Sequence, residues 1–479
     1  MTATQVAVLQ LVSDLKEGLA VIKVGPNVPP SARRGSSARA SAPKPLTFPQ
    51  WNINPSWSLA LMGSHGGWTG DPGDLTSLNA VATIVQRQAV QRAQRSNGSV
   101  GVCPMGSGGS RLFGTLAQSL TSAPSAQPEP YREESPDRDV SEVDPDQLLR
   151  ECEEALRRRP ARPHRDLVFP NATVPYKHNP SIRVMQWNIL AQALGEGRDG
   201  FVRCPLEALN WHERKYLILE EILTYRPDIL CLQEVDHYYD TFQPVMAGLG
   251  YQGSFLAKPW SPCLDVEQNN GPDGCALFYR RSRFTLQSTA HLRLSAMMLP
   301  TNQVAIVQTL GCQLTGRRLC VAVTHLKARS GWERLRSAQG ADLLQSLQTI
   351  TSRGGGQGAA ATAATPLIVC GDFNAEPSED VYRRFSSSPL GLSSVYKLLS
   401  SDGETEPAYT TWKIRPTGES CSTLDYIWYT RSALAVDSLL NIPTEEQIGP
   451  DRLPSYHYPS DHLSLLCDVS FREEPHRLM

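Results

Sequence analysis

From Ser181 onward the sequence is a succession of short apolar runs of β type, at 182–187, 228–232, 275–279, 304–310, 319–324, 367–370, 424–429 and 463–469. Runs this short and this continuous read as buried strands. Helix-like spacing, with apolar residues three and four apart, occurs at 212–224 and 332–350. So many strands with so few helices over roughly 300 residues do not make regular βαβ alternation. The pattern predicts sheets packed face to face under helices. The Gly- and Ala-rich stretch at 353–365 interrupts this domain before a strand and reads as an exposed loop.

The first 175 residues or so have a different character. Residues 25–55 carry seven prolines among Ser, Ala and Arg, no acidic residue lies between Glu17 and Asp71, and a second Pro/Ser/Glu stretch covers 122–139. Such segments bury too little apolar surface to offset chain entropy, so residues 1–140 are expected to be a disordered leader. The acid-free, Arg-bearing stretch fits a mitochondrial transit peptide as well as a plain tail of a cytoplasmic protein, although Asp14 and Glu17 spoil the extreme N-terminus. Met105-Gly-Ser-Gly-Gly-Ser110 fits an N-myristoylation pattern if translation starts at Met105, and otherwise a Gly/Ser linker. Within 141–175 a short helix and linker are expected. Asp144 would be its N-cap, Pro145 its first residue and Gln147 its third, followed by a stripe of Leu148, Leu149, Cys152 and Leu156.

The runs end on polar residues. Asn188 closes 182–187, Gln233-Glu234 closes 228–232, His325 closes 319–324, and Gly371-Asp372-Phe373-Asn374 closes 367–370. Asp425 lies in 424–429, and Ser460-Asp461-His462 precedes the last run. Carboxylates, amides and imidazoles at strand termini are what a sheet-borne polar site needs, because strands fix the groups while loops admit substrate. Taken singly, each has a plainer reading. A glutamate after a strand can be a solvated loop residue, a histidine there a hydrogen-bonded structural one, and D-x-N an Asx-turn.

Their order and company resemble the endonuclease/exonuclease/phosphatase superfamily, through Gln186-Trp187-Asn188, Leu232-Gln233-Glu234-Val235, Thr324-His325-Leu326, Gly371-Asp372-Phe373-Asn374, Leu424-Asp425-Tyr426 and Ser460-Asp461-His462. Further segments, 186–194, Lys258-Pro259-Trp260 and Lys327-Ala328-Arg329, resemble the branch related to poly(A)-shortening nucleases. The resemblance covers about 180–472 and implies an α/β catalytic domain there, a four-layer sandwich of two packed mixed β-sheets flanked by helices. It implies Mg²⁺ as cofactor, with Glu234 as metal ligand and Asn188 completing or orienting its shell. His325 and Asn374 would contact the scissile phosphate, Asp372 would orient the attacking water or serve the leaving group, and Asp425 would pair with His462. Ser460 and Asp461 would either orient that loop or be purely structural.

Composition narrows the partners. With 46 Lys+Arg against 48 Asp+Glu the net charge is −2, which argues against a long basic track for nucleic acid. Eleven scattered cysteines without a C-x-x-C pair argue against a zinc site or disulfide scaffold and for a reducing compartment. No apolar run is long enough for a transmembrane segment. Lys258, Lys327, Arg329 and Arg415 flank the motifs as candidate substrate-binding cations, with ordinary surface cations as the alternative. Lys327 and Arg329 share a parity in extended chain, so both are expected to face the cleft beyond His325. A small basic cluster suits a compact, multiply phosphorylated nucleotide. The resemblance implies a phosphatase removing the 2′-phosphate of NADP⁺ and NADPH. A poly(A) 3′-exonuclease acting on RNA, and a non-catalytic adaptor of RNA-processing proteins, are the alternatives.

Overall fold

The structure, a computed structural model, describes residues 142–170, 180–352 and 364–473. The leader, the Met105 motif and nearly all of the loop at 353–365 lie outside the described residues. In chain order the elements are α1 (Pro145–Leu156), β1 (Leu167–Val168), β2 (Ile182–Asn188), α2 (Leu206–Leu209), α3 (Trp211–Tyr225), β3 (Ile229–Val235), α4 (Gln243–Gly248), β4 (Tyr251–Ala257), β5 (Gly274–Arg280), β6 (Phe284–Ala296) and β7 (Leu299–Cys312). There follow β8 (Arg318–His325), α5 (Glu333–Ser352), β9 (Leu367–Asp372), α6 (Asp380–Ser386), β10 (Leu392–Ser394), β11 (Thr411–Arg415), β12 (Gly418–Ser422), β13 (Asp425–Thr430), β14 (Leu434–Leu440), α7 (Glu445–Ile448) and β15 (Leu465–Phe471).

Two mixed sheets form the sandwich. One has seven strands in the order β1-β14-β15-β2-β3-β5-β4, the other six in the order β10-β13-β9-β8-β7-β6, and β11 and β12 make a separate hairpin. Each large sheet contains a single parallel pair, β2 with β3 in the first and β8 with β9 in the second. Because side chains alternate along a strand, one set from each sheet meets in the middle. Val184, Cys231 and Leu277 pack there against Val321, Val323, Cys370 and Ile427. The opposite sets face helices: Met185, Leu230 and Leu232 with Ile218 and Ile222 of α3, and Ala322, Leu367 and Val369 with Leu343 and Leu347 of α5.

Helix α1 starts at its expected cap, with the Asp144 carboxylate accepting from Asp146 N at 3.0 Å. Gln147 does not reach back to complete a capping box, and donates instead to Glu151 at 3.2 Å. Leu148, Cys152 and Leu156 pack against Tyr216, Leu219 and Leu223 of α3. The chain that follows is tied into the domain. The buried Arg165 donates to Ser464 and to the Asn441 carbonyl, each at 2.8 Å, and β1 pairs with the edge of β14. Among the described residues no helix is long and apolar enough to cross a membrane, and all ten cysteines are free, with only Cys421 exposed.

Candidate active site

The two parallel pairs end at the same place. On β2 the residues facing the opposite sheet are Ile182 and Val184, which by alternation continue to Gln186 and Asn188. On β8 the series is Val321, Val323, His325, and on β9 it is Ile368, Cys370, Asp372. Each series is apolar in the core and turns polar at its end, in the last residue on β8 and β9 and in the last two on β2. His325 and Asp372 are direct register partners, and Asp425 lies opposite Asp372 on the other side. Glu234 does not fit the alternation, since Leu230 and Leu232 share its parity and face α3. A register shift between Leu232 and Val235 and a left-handed backbone at Glu234 (φ 56°) turn its carboxylate toward Asn188.

Asn188 Nδ2 donates to Glu234 Oε1 and to Asp372 Oδ2, both at 3.0 Å, so one amide joins the two sheets. Asp372 Oδ1 accepts from Asn374 N at 2.8 Å, and Asn374 Nδ2 donates to the Leu326 carbonyl at 3.2 Å. Two imidazoles flank Asp372 Oδ2: His325 Nε2 at 3.6 Å and His462 Nε2 at 3.7 Å. His462 Nδ1 lies 2.8 Å from Asp425 Oδ2, which also accepts from Thr410 Oγ1 at 2.7 Å. Ser460 takes an orienting position, donating to the Asn188 carbonyl at 2.6 Å and accepting from His462 N at 3.1 Å.

Charge is set by neighbours as much as by burial. The Glu234 carboxyl is pushed up to about 7, first by burial and then by Asp461, Asp199 and Asp273, with Lys258 opposing. Burial, and then Lys413, work against a charged His462, but Asp425, Asp372 and Asp461 together overcome them and raise that imidazole to about 9. His325 goes the other way: burial, then Lys258, His462 and Lys327, hold it well below the usual histidine range. Burial raises Asp372, with His462 the leading opposing charge. Burial would also raise Asp461, yet Lys413, His462 and Arg415 hold it below the usual carboxylate range.

A hard divalent cation asks for oxygen donors. Glu234 and Asn188 supply them, and the surrounding carboxylates that raise Glu234 are an anionic excess such an ion would relieve, so the residues fit a metal. Asp372, Asp425 and His462 also offer ligand atoms within 4.8 Å of one another. The Asp425 oxygen facing His462 is already shared by an imidazole and a hydroxyl, which makes this trio a carboxylate–imidazole pair beside Asp372.

The four cations expected to bind substrate separate into two kinds. Lys258 is buried, pairs with Asp273 at 2.6 Å and lies 3.3 Å from His325 Nδ1. Arg415 pairs with Asp199 at 2.9 Å and approaches Asp461 at 3.6 Å. Lys327 Nζ lies 5.5 Å from the centroid of the Trp332 ring, and Arg329 is exposed. The extended-chain parity expected for Lys327 and Arg329 does not hold as argued, because Arg329 has left-handed backbone (φ 81°) and strand alternation stops at His325.

Sequence reasoning missed the groups that support this arrangement. Lys413, hidden in an ordinary strand, touches Asp461 and lies 3.4 Å from His462 Nε2. Gln186 and Gln233 exchange amide hydrogen bonds at 2.8 and 2.6 Å, and Gln186 also donates to Asp425 at 3.3 Å. The buried Arg214 donates to the carbonyls of Ile189, Leu190 and Pro459, at 2.5 to 2.6 Å, joining the loops after β2 and before His462. The two glutamines sat inside quoted motifs, and polar residues at core parity were the signal that could have found them.

Residues 185–462, from within β2 to His462 itself, match the endonuclease/exonuclease/phosphatase family. The chain belongs to this family. It is thereby a phosphoric ester hydrolase with the family's metal-dependent chemistry, and the matched span contains every group described above. Similarity extends well beyond the span: the chain is 63% identical to Nocturnin of Xenopus laevis over 382 residues, 80% of this chain and 96% of that protein. The solved human Nocturnin catalytic domain with bound sulfate anion is 60% identical, covers 64% of this chain and 98% of its own, and superposes with a TM-score of 0.53. ANGEL2, described as a 2′,3′-cyclic phosphatase and solved with adenosine-2′,3′-vanadate, is 25% identical over 64% of this chain and 99% of its own, with a TM-score of 0.52. A more distant relative is the CCR4-Not complex 3′-5′-exoribonuclease subunit Ccr4 of Yarrowia lipolytica, 29% identical over 56% of this chain and 45% of that protein.

Proposed function

We propose that this family member is a Mg²⁺-dependent phosphatase that removes the 2′-phosphate of NADP⁺ and NADPH, giving NAD⁺ and NADH. The observation that carries the reading is compactness. Two imidazoles converge on Asp372 Oδ2, and Lys258 and Lys413 lie 3.3 and 3.4 Å from those imidazoles. Donor groups this close together match one small dianion better than a strand of singly charged phosphates. The likeness to ANGEL2, solved with adenosine-2′,3′-vanadate, supports chemistry at that position of a nucleotide.

A divalent cation held by Glu234, with Asn188 beside it, would supply charge neutralisation at the phosphate oxygens. The chain's own groups do the rest. Asp372, fixed by Asn188 and by the Asn374 amide, accepts the proton of the attacking water. His462, held charged by Asp425, donates to the phosphate as negative charge grows. It gives its proton to the ribose 2′-oxygen as the P–O bond breaks, and regains one from Asp372 Oδ2, 3.7 Å away. His325 faces the Lys258 ammonium with Nδ1, and an ammonium can only donate. The imidazole proton is therefore assigned to Nε2, which gives the phosphate a neutral N–H donor.

The decisive measurement is inorganic phosphate release by the full chain from NADPH and NADP⁺, beside shortening of oligo(A), in one Mg²⁺ buffer. Phosphate release from both dinucleotides, with NAD⁺ and NADH neither hydrolysed nor strongly inhibitory, is expected. Efficient degradation of oligo(A) at physiological salt with NADPH untouched would establish instead the poly(A) 3′-exoribonuclease reading, which the similarity to Ccr4 favours.

A further inference from the structure

The loop leaving β8 carries Lys327 and Arg329, and a buried arginine reaches beneath it. Arg336, in the first turns of α5, is 2% exposed. Its Nη1 donates to the carbonyls of Lys327 and Arg329, at 3.1 and 2.7 Å. Its other edge makes a two-point pair with Glu379, Nε to Oε2 at 3.0 Å and Nη2 to Oε1 at 2.8 Å. One turn further along α5, Gln339 Oε1 accepts from Lys327 N at 3.1 Å while its Nε2 donates to Gln303 Oε1 at 2.7 Å. Three backbone groups of one short loop are thus held from α5. Between them Arg329 adopts φ 81°, a conformation that side chains of its kind rarely take unless surrounding structure over-determines it.

We propose that Arg336, backed by Glu379 and Gln339, is a positioning residue that sets substrate affinity by fixing the Lys327–Arg329 loop in its left-handed turn. This rests on the proposed NADP(H) phosphatase reading, together with the sequence expectation that Lys327 and Arg329 bind the phosphates of the substrate. A loop ordered before the substrate arrives spares binding the cost of ordering it. The planar fork is essential, because one guanidinium spans two carbonyls and a carboxylate at once, whereas a lysine ammonium beside Glu379 keeps the charge and loses that geometry. The left-handed turn then relaxes, and the two cations lose their fixed spacing without any change at Glu234, Asp372 or His462.

The test is a set of variants of the full chain assayed for KM and kcat with NADPH, with thermal melting as a check on folding. Arg336→Lys is expected to raise KM about tenfold, which is ~1.4 kcal/mol, and to leave kcat within about twofold. The Mg²⁺ concentration for half-maximal rate should stay where it is. In a Lys327→Ala/Arg329→Ala background, Arg336→Lys should add nothing further, since the groups it positions are gone. Gln339→Leu reads the same loop from its other side and should raise KM about threefold, which keeps the question open to answer if Arg336→Lys does not fold. An unchanged KM in folded Arg336→Lys, a kcat that falls as much as KM rises, or an undiminished effect in the double-alanine background would each overturn the proposal. If Lys327→Ala/Arg329→Ala itself leaves KM unaltered, the reading of those residues as substrate cations fails, and the inference falls with it.

Discussion

The two parallel strand pairs reach the site by different means. On β8 and β9, His325 and Asp372 arrive by plain alternation: they occupy the inward parity of buried strands, one step beyond the apolar core. On β2 and β3, Asn188 arrives the same way, but Glu234 is on the wrong parity and is turned in by a bulge and a left-handed backbone. The half proposed for acid–base chemistry is therefore an extension of the core. The half proposed to hold the metal is a local departure from it, carried by a carboxylate that its surroundings make reluctant to ionise.

The largest effect expected from breaking this contrast is at Glu234. Glu234→Ala, or EDTA added to the native chain, should abolish phosphate release, a loss of at least roughly 10³-fold. The melting temperature of Glu234→Ala should stay close to native, because the substitution removes a desolvated acid rather than a core group. Undiminished turnover in either case would remove the metal mechanism.

Next in size is the carboxylate–imidazole pair. Asp425→Asn should lower kcat by about 10²-fold or more, within the range for loss of acid–base assistance. It should also move the alkaline limb of the rate profile, expected near His462's value of about 9, to lower pH. The sign for stability follows from the same shift. An imidazole raised from about 6.5 in the unfolded chain to about 9 when folded stabilises fully below the lower value, and that contribution is lost as pH rises through the upper one. Urea midpoints measured across pH 6 to 10 should fall in native protein and stay flatter in Asp425→Asn.

The paired cation Lys258 comes third. Lys258→Ala strands the fully buried Asp273, so it should cost about 3 to 5 kcal/mol of stability and reduce kcat through His325. The exposed Arg329 has the smallest effect: Arg329→Ala should raise KM for NADPH roughly tenfold, ~1.4 kcal/mol, with melting unchanged. Equal melting losses in the two variants would dissolve the distinction between paired and exposed cations.

The same contrast explains what the sequence made legible. Sheets packed face to face under helices follow from many short apolar runs with few helices, while their number came from the motif resemblance. Asn188, His325 and Asp372 stand out because polarity appears at the end of a buried parity. The motif order singled out Glu234 as a candidate, although nothing in Leu232-Gln233-Glu234-Val235 announces the bulge that re-aims it. Partners such as Lys413, Asp199 and Asp273 were invisible, because they belong to strands and loops far away in sequence whose meeting only the fold decides. The parity argument for Lys327 and Arg329 failed for a related reason. Hydrogen bonds from Arg336, several residues downstream, hold the backbone out of the extended conformation that parity assumes.

The segment from Val143 to Val168 has a bearing on how the protein behaves in solution. It covers Tyr216, Leu217, Leu219 and Leu223 on the outer side of α3 and pairs with β14, which would otherwise be the open edge of its sheet. An uncovered apolar helix face beside an unpaired strand edge is a template for self-association. Protein deprived of this segment would keep every catalytic group and still be prone to aggregate, so its apparent activity should fall with rising protein concentration and time of storage, well before any chemical step is impaired.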